Sequence, residues 1–203
     1  MMAIRVKFLC LAYLLFFMMP LMAERTDYTA EEDALMIRGV NEVVSVLKRE
    51  MKEKFRLRCT GSGGSMPYDI QEIGVDFLLC RQVSIEEARE LEVRATERFV
   101  EIINSHEAIR PYLRDYPWDY HRAKIMVSFE RDDGEDYPEG VSLVLQAKEK
   151  ICYFGPEKSP KEIGPTLREP YLEAKEIVNS TPSCLKPVVV KSEGKKKKWL
   201  GLF

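Results

Sequence analysis

Between residues 31 and 54 the apolar side chains Ile37, Val40, Val44, Leu47 and Met51 recur at steps of three and four, with charged residues between them. That spacing predicts a long amphipathic helix. "FRLRC" at 55–59 then alternates like a strand, and a second alternation follows at Ile73, Val75, Phe77 and Leu79. Between them lies "GSGGS" at 61–65, which predicts a flexible connection because glycine tolerates positive φ and serine bonds nearby backbone.

The firmest helix signal begins at Ser84. Serine at the cap and Glu87 three residues later form a capping box. Ala88, Leu91, Ala95, Phe99, Ile102 and Ile103 supply the apolar stripe behind it, which ends near Asn104. The stretch 109–122 is aromatic and broken by proline. Ile125, Val127 and Phe129 then alternate, "RDDGEDYPEG" turns, and Val141, Leu143, Leu145 and Ala147 alternate back as a hairpin. "KICYF" at 150–154 extends that strand or adds another. Residues 155–170, with two Gly-Pro pairs and two further prolines among them, predict an irregular segment before a last short helix at 171–179.

Strands arrive in adjacent pairs rather than alternating singly with helices. The expected class is α+β: an antiparallel sheet of four to five strands, with two long helices and one short helix packed mainly on one face.

The ends of the chain differ from its middle. Arg5 and Lys7 precede an unbroken apolar run at 8–19, Pro20 interrupts it, and Ala23 precedes the polar Glu24-Arg25. These are the parts of a secretory signal peptide. The run is shorter than the roughly 20 residues that span a bilayer, which argues against a retained anchor. The expected organisation is a leader at 1–23, a single α+β domain at 24–182 and a flexible basic and apolar tail at 183–203. Export to the periplasm or the outside follows.

Without the leader, 29 basic residues face 33 acidic ones, a net −4. Four of the bases are Lys195, Lys196, Lys197 and Lys198, so the body is more acidic still. An acidic body does not suit nucleic acid, whose partners carry basic residues across a binding face. Beside the lysines stand Trp199, Leu200, Leu202 and Phe203, a pairing of charge and apolar bulk suited to a membrane surface or an acidic partner.

Cys59, Cys80, Cys152 and Cys184 follow the leader. An even number in an oxidising compartment permits two disulfides in three connectivities, and at least one is expected. No CxxC occurs, so zinc and thioredoxin-type chemistry lose their basis, and no metal site is expected.

Candidate chemistry is sparse. A phosphate loop needs a helix after its glycines, whereas here a strand follows, and no Gly-Lys-Ser/Thr triplet occurs. "RDDGED" lacks the alternating acids and distant glutamate of a calcium loop. No cofactor motif is present, and none is expected. Of the two histidines, His121 is the catalytic candidate, with Asp115 and Asp119 close in sequence; a cysteine or serine nucleophile would have to come from elsewhere. Tyr116, Trp118 and Tyr120 form either a recognition platform or a corner that closes the core. The sequence therefore describes an exported protein of binding or scaffolding type. A hydrolase using His121, or a peripheral membrane protein held by its tail, stands as the alternative. Its partner would be a protein or a membrane surface.

Overall fold

A computed structural model describes residues 29–156 and 164–185. The leader and Lys195 to Phe203 of the tail fall outside the described residues. Helix α1 spans Ala30–Phe55 and opens on a capping box that the sequence reading had not used. Thr29 accepts from the Glu32 amide, and Glu32 reaches back to the Thr29 backbone. It closes on Arg56 in the left-handed conformation, φ 60°, whose N–H returns to the helix.

Strand β1 (Arg58–Ser65) pairs antiparallel with β2 (Glu72–Leu79). Here the glycine-rich stretch differs from expectation: residues 61–65 are strand, and the turn lies beyond them. The reason is close backbone approach. A Cβ at Gly64 would stand 2.4 Å from the Glu72 carbonyl oxygen, so the pairing tolerates only glycine there. A register shift between Cys59 and Gly61 bends the strand.

Helix α2 (Ile85–Ser105) starts at the Ser84–Glu87 capping box, as predicted. It carries the chain back to the starting end of the sheet, so β3 (Ala123–Phe129) lies parallel to β2. This corrects the expected all-antiparallel sheet. A strand, a crossover helix and a strand in one sheet give parallel pairing, and the neighbouring hairpins masked that unit in the sequence. Strands β4 (Leu143–Ala147), β5 (Lys150–Phe154) and β6 (Leu167–Pro170) continue antiparallel. The sheet is mixed and has six strands, in the spatial order β1-β2-β3-β4-β5-β6, rather than four or five. Strand β6 falls inside the segment predicted to be irregular. Helix α3 (Tyr171–Ser180) follows it directly.

Burial alternates along β3 without exception: Ala123, Ile125, Val127 and Phe129 are buried, while Lys124, Met126 and Ser128 are half-buried. The buried set joins Val43, Leu47 and Met51 of α1, Leu91, Ala95 and Phe99 of α2, and Tyr171 and Ala174 of α3 in one core. The helices therefore share one face of the sheet. Two ion pairs tie α2 to its neighbours: Arg98 grips Glu50 of α1 through two bonds of 2.8 Å, and Arg89 grips Glu169 of β6 at 2.7 and 3.0 Å.

All four described cysteines are free, so no disulfide joins them. Cys59 lies on the β1 edge and Cys80 just past β2. Cys152 sits on the sheet face away from the helices, and Cys184 follows α3. The chain beyond 182 does not leave the domain at once. The Cys184 amide and thiol both donate to Glu90, at 2.9 and 3.1 Å, and Leu185 packs on the core. Burial, and then the bond to the Glu90 carboxylate, pushes the Cys184 thiol up to about 11.

A candidate charged cleft at His121

The short 3-10 turn Tyr120–Arg122 enters β3, and Asp119 caps it. One carboxylate oxygen of Asp119 accepts the His121 backbone N–H at 3.0 Å and lies 2.6 Å from the imidazole Nδ1. A carboxylate can only accept, so Nδ1 carries the proton and Nε2 is the ring's open position. Nε2 faces Glu149 across 3.8 Å. The Tyr120 ring is stacked between His121, centroids 3.9 Å apart, and the buried Tyr171, 4.3 Å apart. Gln146, 4% exposed, donates to the carbonyls of Tyr120 and Lys148 and so clamps this turn against the β4–β5 hairpin.

Around His121 opens a cleft of about 900 Å³ at the end of the sheet. Arg122 reaches its wall, donating to the Gln71 carbonyl at 3.1 Å and to Asp115. Lys124 donates to the His121 carbonyl at 2.6 Å and pairs with Glu72 at 3.5 Å. The hairpin contributes Lys148, Glu149 and Lys150. Four acids and four bases line the cleft around His121. Lys148 and Lys150 have no ion-pair partner among the described residues. No cysteine and no serine lines it.

The aromatic residues of the same connection separate. Trp118 is 2% exposed and belongs to the core. Asn104 holds its backbone with bonds of 2.7 and 3.0 Å, while its indole N–H meets no partner among the described residues. Tyr116 is exposed beneath the Arg110 guanidinium, 4.6 Å from its ring centroid. Tyr120 is the wedge described above. Only Tyr116 presents its ring to solvent. Among the described residues no group of three His, Cys, Asp or Glu stands close enough to hold a metal ion, and no helix is long and apolar enough to cross a membrane.

The reading from sequence found His121 and its two neighbouring aspartates. It missed Glu72, Arg122, Lys124 and the 148–150 hairpin, because none of them carries a local motif and only the sheet brings them together. Compared with family models, with curated proteins and with solved structures, the chain matches none of them.

Proposed function

We propose that the chain is an exported protein of binding type, and that the charged cleft at His121 holds its ligand. The observation that carries this reading is the cleft's composition: charged groups of both signs around an oriented imidazole, with no nucleophile beside it. Lys148 and Lys150 are placed to meet an anionic group, and Glu149, 78% exposed at its side chain, to meet a cationic one. A ligand with both charges at short spacing, such as a peptide segment or terminus, fits that set.

A titration of the 15N-labelled full chain with short Lys- and Glu-containing peptides tests it. Amide shifts clustered at residues 119–124 and 146–150, with affinity cut tenfold or more by Lys148→Glu plus Lys150→Glu, are expected. If no peptide moves those amides, the reading is wrong. The export half predicts that protein from the native host begins at Glu24, which intact mass measures directly.

The Asp119–His121 pair at 2.6 Å favours one second reading, a hydrolase in which His121 Nε2 takes a proton from water. Turnover of an ester or amide substrate that His121→Ala abolishes, while the peptide titration is silent, would decide for it. The membrane reading rests on the tail from Lys195 to Phe203, outside the described residues, and vesicle binding by the full chain tests that proposal.

A further inference from the structure

One face of the sheet carries the core, and the other has no described helix upon it. That second face is not polar. Leu78 and Cys152 are 8% and 7% exposed yet stand apart from the core cluster, because they point the opposite way. Half-buried Met126, Leu143, Leu145 and Phe154 join them.

Register orders this surface in rows. One row runs unbroken across all six strands: Gly61, Asp76, Met126, Leu145, Cys152, Arg168. An acid and a base flank three apolar side chains. Neither Asp76 nor Arg168 has an ion-pair partner among the described residues. Asp76 on β2 and Arg168 on β6 are each two strands from Leu145 on β4, about 10 Å on either side. The next row is Arg58, Leu78, Ser128, Leu143, Phe154, which puts a base at its β1 end and apolar side chains on β2, β4 and β5.

We propose that this face binds a second copy of the same chain, with a two-fold axis running along β4 through Leu145. Rotation about that axis reverses the strand order of the second copy. Leu145 meets Leu145, Met126 meets Cys152, and Asp76 meets Arg168 twice. The other face-to-face two-fold, perpendicular to the strands, would set Asp76 against Asp76 and Arg168 against Arg168. Charge therefore selects the axis, as it selects register at other interfaces. The strands of the two sheets then run in nearly the same direction, which is the aligned packing that twisted sheets adopt.

The contact has a natural limit. Lys124 and Lys150 occupy matching positions toward the cleft end of the face and would oppose one another there. Lys124 is held toward the sheet end by Glu72 and the His121 carbonyl, so the two copies part at that row. Five strands by the two remaining rows cover roughly 330 Å² on each copy, or about 650 Å² together. That is below the range of stable specific interfaces, which points to a weak dimer governed by concentration rather than a permanent one. This inference is independent of the ligand in the cleft.

Sedimentation velocity on the full chain tests it, between about 1 µM and 1 mM, at low and at high salt. A monomer–dimer equilibrium that weakens with salt is expected. Asp76→Arg alone and Arg168→Asp alone should each weaken dimerisation tenfold or more, and the two together should restore it. Arg168 is exposed and Asp76 half-buried, and circular dichroism checks that each variant is folded. A monomer across the whole range overturns the proposal. So does a dimer indifferent to either single reversal, because it would then be using another face.

Discussion

Glu92 is fully buried on the inner face of α2, and neither of its carboxyl oxygens has a hydrogen-bond partner among the described residues. The nearest polar influence is the backbone amide of Gln146, and loss of solvent dominates, holding the carboxyl well above its ordinary range. The consequence for stability has a definite sign. Below pH 4.5 the acid is protonated in both the folded and unfolded chain and contributes nothing. Above that, the unfolded chain ionises while the folded one does not, so the unfolded state gains about 1.4 kcal/mol per pH unit until the folded value is reached. Glu92 thus drains stability as pH rises, the reverse of a paired carboxylate. Glu92→Gln keeps the shape and removes the titration. Urea unfolding of both proteins at pH 5, 6 and 7 isolates the difference. The wild type should lose ground to the variant as pH rises, by up to about 2.7 kcal/mol across that range. Glu92→Leu should also be as stable as the wild type or more so at pH 7, since an uncompensated buried acid is replaced by apolar volume. A gap between wild type and Glu92→Gln that is constant from pH 5 to 7 would refute the reasoning, because it would mean that the buried carboxyl ionises normally.

Two further outcomes follow from the packing. Hydrogen bonds from Arg98, and then from Lys54, hold the Glu50 carboxyl down to about 2, so its contribution is present above pH 4.5 and fades as pH falls toward 2. Glu50→Gln should flatten that acid loss. Arg98 is 37% exposed, so solvent screening limits the effect to about 1 kcal/mol by denaturant titration. Gly140 holds φ at 97°, and a Cβ there would lie 2.8 Å from the Val83 carbonyl oxygen. Gly140→Ala should cost about 1–3 kcal/mol by thermal unfolding, and an unchanged melting temperature would contradict that geometry.

What could be read from the chain followed the range of the forces involved. Helices α1 and α2 were legible because their apolar stripes, and the cap of α2, are local. Strand β1 was hidden by its own glycines, of which Gly64 answers to the neighbouring backbone of Glu72 rather than to any turn. Strand β6 was hidden by flanking prolines, and it is held by partners far away in sequence, Arg89 and Tyr153, which both bond to Glu169. At the cleft, Asp119 and His121 stood side by side in the sequence, whereas Glu149 and its lysines arrive only when β4 and β5 fold back. Glu92 did leave a trace: it lies four residues after Ala88, on the predicted apolar stripe, where a charged residue is out of place.

The spatial order of the strands matches their order in the chain, and this shapes how the molecule assembles. Every neighbouring pair but one is closed by an antiparallel return that needs only nearby sequence. The β2–β3 seam alone requires the chain to travel through α2 and the aromatic connection before its partner arrives. The chain thus consists of two locally encoded pieces, a hairpin with its helix and a four-stranded meander with another, zipped along a single parallel junction. Loop-closure entropy is concentrated at that junction, so its formation sets the folding rate. Substitutions at Val75 or Ile125, which face each other across it, will therefore slow assembly, whereas those in the outer hairpins will chiefly hasten unfolding.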